Sequence, residues 1–185
     1  MNINNSQETN RIRLRSFQDT DLVPVHALLV DPESSVYNPG IAPDNEYATS
    51  IVLTNWINEK EAEPRIRYTF LIENNNQQFI GIISIGIIKT HYKNAEIWYK
   101  ICPEFWGKGY ATEAVKTIIK FGFESLLLHR IEAGCAVGNV ASCKVLEKAG
   151  MYREAHTRKL LPLKSGWSDN YGYAILEEDF LKYKL

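Results

Sequence analysis

The stretch from Ile101 to Ala114 constrains the fold more than any other part of the chain. An apolar run stops at Pro103, glycines stand at 107 and 109, and a long amphipathic pattern follows. This is a strand, a tight turn and a helix in succession. Glycine tolerates backbone conformations closed to other residues, so the turn can gather several N–H groups toward one point, where the helix start adds the positive end of its dipole. Such a turn cradles a pyrophosphate; it also serves as a plain tight turn. Two familiar phosphate motifs do not fit. A Walker loop needs GxxxxGK followed by Ser or Thr, whereas Lys108 precedes Gly109 and no glycine lies five residues before Gly107. The dinucleotide fingerprint needs a small residue where Thr112 stands and an acidic residue about twenty positions on, where Leu126–Leu128 lies.

The helix opened by this turn reads as Lys108–Leu128, with Val115, Ile118, Ile119 and Phe123 on one face. Before it, Arg11–Phe17 alternates polar and apolar residues as a strand does, and Leu22–Val30 reads as a helix ended by Asp31-Pro32. Glu46–Glu61 reads as a second helix. Arg67–Glu73 and Phe79–Ile88 form a hairpin around Asn74–Gln77, and Ala95–Cys102 is a third strand of that group. Arg130–Val137 is a strand and Val140–Ala149 a helix closed by Gly150. Tyr152–Leu161 and Tyr171–Leu176 are strands around a Ser165-Gly166 turn. Hairpins force antiparallel pairing and strand-helix-strand units favour parallel pairing, so the fold class is mixed α/β. The polar residues 1–10 read as a flexible tail and 11–185 as a single domain.

Composition narrows the function classes. The chain has 185 residues, with 21 Lys and Arg against 22 Asp and Glu and a net charge of −1, so it lacks the overall field that gathers nucleic acid or an anionic membrane. The longest apolar run, Phe79–Ile88, falls short of the ~20 residues that span a bilayer. The first residues lack a signal-peptide pattern, and a cytoplasmic protein is expected. Cys102, Cys135 and Cys143 form no CxxC pair, and the four histidines show no ligand spacing, so no metal is expected.

Trp106-Gly107-Lys108-Gly109-Tyr110-Ala111 resembles the acetyl-CoA loop of the GNAT N-acetyltransferases. Pro103–Ala114, Leu128–Ala133, Asn139–Ser142 and Val145–Gly150, together with Ala95-Glu96-Ile97, resemble the RimJ/RimL-like branch of that family, which contains ribosomal-protein N-terminal acetyltransferases. The resemblance implies the GNAT fold: a mixed, mostly antiparallel sheet with a splayed central strand pair, flanked by helices. It further implies acetyl transfer from acetyl-CoA to a primary amine, by direct attack in a ternary complex. The acceptor is a protein N-terminus or a small-molecule amine such as a polyamine, amino acid or antibiotic; a non-catalytic acyl-CoA sensor is the reading from another class. A homodimer is compatible with the resemblance.

The resemblance also implies site residues. Main-chain groups of Ile101 and Cys102 bond the pantetheine arm, Gly107, Lys108, Gly109, Tyr110, Ala111 and Thr112 hold the pyrophosphate, and Trp106 belongs to the same cofactor-binding loop. Lys108 adds a charge-assisted contact or is a solvated helix-start lysine. Asn139 contacts the cofactor, caps the following helix, or does both. An amine attacks only when unprotonated, and Glu96 is the candidate base; its alternative role is to bind the acceptor cation. Many relatives carry a tyrosine as general acid where this chain has Leu146, so Ser142 is the candidate proton donor, with helix capping as its alternative. Trp98 and Tyr173 border the acceptor or pack in the sheet and core.

Overall fold

The hairpin read around Asn74–Gln77 forms the middle of the sheet. In this computed structural model, which describes residues 6–40 and 42–183, β3 (Arg67–Asn74) and β4 (Phe79–Lys89) pair antiparallel. Both strands carry apolar residues at odd and even positions because both faces are covered. Phe70, Ile72, Ile83 and Ile85 enter one core, and Leu71 and Ile82 enter a second core on the opposite face.

The larger core lies beneath α3 (Tyr110–Glu124) and α4 (Val140–Lys148) and includes Val115, Ile118, Ile119 and Leu146. The smaller core lies beneath α1 (Leu22–Val30) and α2 (Glu46–Asn58) and includes Val25, Leu28 and Leu53. The remaining strands are β1 (Ser6–Glu8), β2 (Ile12–Arg15), β5 (Asn94–Ile101), β6 (Arg130–Ala136), β7 (Tyr152–Leu163) and β8 (Gly166–Leu176). They assemble in the order β1-β2-β3-β4-β5-β6-β8-β7. A last helix, α5 (Glu177–Tyr183), packs Phe180 on Phe123 with ring centroids 5.2 Å apart.

Every neighbouring pair is antiparallel except β5 and β6. Their parallel pairing lasts three residues, Asn94↔Arg130, Ala95↔Ile131 and Glu96↔Glu132, and then stops. β5 continues along β4 to the pair Gly81↔Ile101, while β6 continues along β8 to Ala136↔Asn170. Two strands that each stay with their outer neighbour and lose each other open a wedge in the sheet. Gly81 helps to hold β5 on the β4 side: a Cβ there would stand 2.2 Å from the Lys100 carbonyl oxygen.

Two segments differ from the sequence reading. Residues 6–8, placed in the tail, form the edge strand β1; residues 1–5 of that tail lie outside the described residues. β8 begins five residues earlier than the alternation suggested, at Gly166, so the Ser165-Gly166 turn joins two long strands. Among the described residues, no helix is long and apolar enough to cross a membrane.

Candidate active site

The wedge begins at Glu96. Side chains alternate along a strand, so those of β5 serve two surfaces. Ile97 and Ile101 enter the core under α3, whereas Glu96, Trp98 and Lys100 face the α1–α2 side. There the Trp98 ring lies 6.2 Å from the Trp56 ring of α2, and Lys100 Nζ reaches the carbonyl of Leu29 in α1 at 3.4 Å.

The main chain alternates as well. The Cys102 N–H donates to the Ile80 carbonyl at 2.9 Å, which assigns the even residues of β5 to the β4 ladder. The groups of Tyr99 and the N–H of Ile101 therefore face the wedge, past the last β6 pair. The Ile101 carbonyl accepts from the Trp106 indole N–H at 2.8 Å, and the Cys102 carbonyl accepts from the Phe105 N–H at 2.9 Å. Of the two residues expected to bond a pantetheine arm, Ile101 keeps a free-facing N–H, and both main-chain groups of Cys102 are committed elsewhere. Trp106 pins the turn to the end of β5.

At the mouth of the wedge, Gly107 and Gly109 have φ of +73° and +84°, the left-handed region that disfavours other residues. Gly109 is the N-cap of α3, and the first helical bond runs from the Glu113 N–H to the Gly109 carbonyl. The N–H groups of Tyr110, Ala111 and Thr112 thus have no partner within the helix. A Cβ on Gly107 would meet nothing within 4 Å, so the turn presents bare backbone. Arg11, which the sequence reading did not single out, lies against this turn. It donates from Nη1 to the Lys108 carbonyl at 3.1 Å and from Nε to Glu113 at 2.7 Å. Bare N–H groups, a helix start and two adjacent cations, Arg11 and Lys108, suit a pyrophosphate.

Tyr99 crosses the wedge on the α4 side. Its hydroxyl shares a 2.7 Å hydrogen bond with Ser142 Oγ, and the Ser142 N–H donates to the Asn139 side chain at 3.1 Å. Asn139 is therefore the N-cap of α4, as its alternative role required. Burial raises the Tyr99 pKa, so the hydroxyl stays protonated. Tyr99 escaped the sequence reading because it shares the parity of Ile97 and Ile101 and reads there as a core aromatic.

Glu96 makes no side-chain hydrogen bond or ion pair among the described residues. Its side chain reaches solvent, yet the surrounding protein and the neighbouring Glu132 carboxylate raise its pKa above the ordinary glutamate value. Glu132 is itself held by Arg130 at 2.7 Å. Tyr173 does not border the acceptor side: it is 2% exposed, sits in the core under α4, and donates to Glu147 at 3.1 Å. The Cys102 thiol is pushed up to about 12, chiefly by burial, which keeps it a poor nucleophile near neutrality.

The acetyltransferase (GNAT) domain family matches residues 11–152. The chain belongs to the GNAT acetyltransferases. The N-acetyltransferase YnaD of Bacillus subtilis (strain 168) is 30% identical over 93% of this chain and 97% of its own length. A GNAT acetyltransferase structure from Bacillus anthracis is 31% identical, covers 94% of this chain and 99% of its own, and superposes with a TM-score of 0.81. The spermidine N-acetyltransferase of Vibrio cholerae, solved with CoA and spermine, shares the fold at a TM-score of 0.81 and 22% identity, covering 94% of this chain and 99% of its own. The protein is thus an acetyl-CoA-dependent N-acetyltransferase, and the splayed pair β5–β6 is the GNAT wedge the sequence led one to expect.

Proposed function

We propose that this protein acetylates a primary amine that approaches the wedge from the α1–α2 side, by direct attack in a ternary complex. The observation that carries this reading is the wedge itself. It has a base candidate at its inner end (Glu96), a half-buried hydroxyl pair across its flank (Tyr99 and Ser142), and a bare-backbone turn at its mouth (Gly107–Gly109). Acetyl-CoA, when bound, supplies the acetyl group as a thioester.

The chain's own residues do the rest. Tyr110, Ala111 and Thr112, with Lys108 and Arg11, hold the pyrophosphate; the Ile101 N–H and the main chain of Tyr99 hold the arm that enters the wedge. Glu96 accepts the proton that the ammonium must lose, and its raised pKa brings it closer to that task than an ordinary glutamate. Tyr99, backed by Ser142, delivers the proton that the departing thiol needs; the pair takes the place of the tyrosine that Leu146 removes. The inert Cys102 thiol favours direct transfer over a covalent acyl-enzyme.

The acceptor reaches Glu96 across Trp98, which is 40% exposed. A cavity of about 380 Å³ adjoins this route, lined in part by Trp56, Leu29, Val52 and Lys100. Its size suits a small amine or the first residues of a peptide. The test is CoA release from acetyl-CoA against a panel of peptides, amino acids and polyamines. Acceptor-dependent release in the parent protein that is lost in Glu96→Gln supports the reading; release independent of Glu96 rejects the assigned base.

A further inference from the structure

The cavity beside the acceptor route has a buried cation in its wall. Lys100 is 6% exposed, yet among the described residues its ammonium contacts no carboxylate. An ammonium carries three N–H donors. One bonds Ser35 Oγ at 2.8 Å, a second reaches the Leu29 carbonyl only at 3.4 Å, and the third has no acceptor among the described residues. A buried charge left without an ion pair is costly, and proteins ordinarily pair it or bind a ligand with it.

The surroundings do not supply the missing anion. Burial disfavours the charged form of Lys100 and lowers its pKa; Asp31 attracts the ammonium from beyond ion-pair contact, and Lys164 opposes it with a like charge. Asp44 lines the cavity but is exposed, where water and salt weaken its field. An anion seated beside the Lys100 ammonium would offset the cost of burying it, so the cavity wall favours a negatively charged partner. Glu96, two strand positions beyond Trp98 on the same face, is negative. One surface of β5 thus offers a carboxylate at one end, an indole in the middle and an ammonium at the other.

We infer that the acceptor carries an oxyanion, a carboxylate in the first instance, which sits in this cavity on Lys100 while its amine lies toward Glu96. The inference rests on the proposed transfer at Glu96 and narrows it. A zwitterionic acceptor whose amine and carboxylate are separated by several carbons, such as the side-chain amine of a basic amino acid, matches both charges, and the Trp56–Trp98 wall covers the carbon skeleton between them. A polyamine would set its second cation against Lys100.

The charge-pair test uses acceptors whose reacting amine stands several carbons from the carboxylate, each against its counterpart without the anion: ornithine against putrescine, lysine against cadaverine, and 6-aminohexanoate against pentylamine. In the full-length enzyme the carboxylate-bearing member of a pair is expected to have at least about a tenfold higher kcat/KM, chiefly through KM. Lys100→Met and Lys100→Gln should erase that preference, with acetyl-CoA affinity unchanged. A peptide pair with Asp or Asn after the terminal residue separates an amino acid from an acidic peptide as the source of the carboxylate. Preference for the amines without the anion, or a preference that survives both substitutions, overturns the inference.

A second measurement needs no turnover. Trp56 and Trp98 flank the site, so glutarate titrated into the CoA-loaded protein should change tryptophan fluorescence saturably in the millimolar range or below, and should not do so in Lys100→Met. Absence of glutarate binding to protein that does bind CoA refutes the role of Lys100. Failure to bind acetyl-CoA refutes the transferase site instead, so the two failures are separable.

Discussion

Tyr99 and Ser142 share a 2.7 Å hydrogen bond that ties the splayed part of β5 to the first turn of α4, across the wedge where the two central strands have parted. The bond joins a residue that sequence pattern assigns to the core with one assigned to catalysis, and it makes Tyr99 the half-buried hydroxyl closest in role to a general acid. Tyr99→Phe should lower kcat by about 10²-fold, the lower end of what a positioned proton donor contributes, with acetyl-CoA affinity within about twofold of the parent. Ser142→Ala should lower kcat less, because the tyrosine hydroxyl remains. Steady-state kinetics with a direct acetyl-CoA titration checks both; equal rates in Tyr99→Phe and the parent would assign proton delivery to water.

The pH profile follows from Glu96. Its pKa is raised by its surroundings and by Glu132, and it acts as a base only when ionised. Activity is therefore full above that pKa and falls as pH drops through it. Glu132→Gln removes part of the repulsion, so the acid limb of kcat/KM should move to lower pH. Glu96→Gln should lower kcat and abolish that limb.

Gly109 holds φ of +84° at the start of α3, and a Cβ there would stand 3.4 Å from Arg11 Nη2. Gly109→Val forces a β-branched residue into the left-handed region, at a cost of roughly 1–2 kcal/mol. It also covers the bare backbone of the turn. The expected outcome is at least about a tenfold weaker acetyl-CoA affinity, corresponding to about 1.4 kcal/mol, alongside a lower urea midpoint. Calorimetric titration reads the first effect and equilibrium unfolding the second.

Stability on the α1 side depends on Arg15. Its guanidinium takes both oxygens of Asp21 at 2.8 Å and one oxygen of Glu73 at 2.7 Å, and both carboxylates belong to buried residues. Arg15→Met leaves Glu73 with only Arg13 at 3.8 Å and Asp21 with only the Gln18 N–H at 2.8 Å, and should destabilise the fold by about 2–4 kcal/mol, read as a fall in urea midpoint without a change in slope. Replacing the exposed Lys120, which stands 4.0 Å from Glu124, should change stability by less than about 0.5 kcal/mol.

Much of this architecture was legible in the sequence. Leu22–Val30, Arg67–Asn74 and Phe79–Lys89 stand out as apolar runs of element length because the helix packs on one core and the two strands are buried on both faces. β1 and α5 were illegible for the same reason: three polar residues and a helix anchored by Phe180 leave no pattern. The Gly107–Gly109 turn was legible because positive φ restricts residue type locally. Arg11, Tyr99 and Lys100 were not, since their roles depend on where distant segments bring their partners: the turn, α4, and the loop that follows α1. Tyr173 shows the converse, an aromatic whose register against Ala133 turns it into the core and away from the acceptor.

The most direct test of the account is amide hydrogen exchange, resolved by residue, with and without acetyl-CoA. The Tyr99 and Ile101 amides face the wedge, and the Tyr110, Ala111 and Thr112 amides open α3 without helical partners. Acetyl-CoA should slow exchange at these five positions and leave Cys102, already bonded to Ile80, unchanged. Binding that protects other amides and leaves Ile101 and the start of α3 exchanging as before would contradict the placement of the acetyl donor in the β5–β6 wedge.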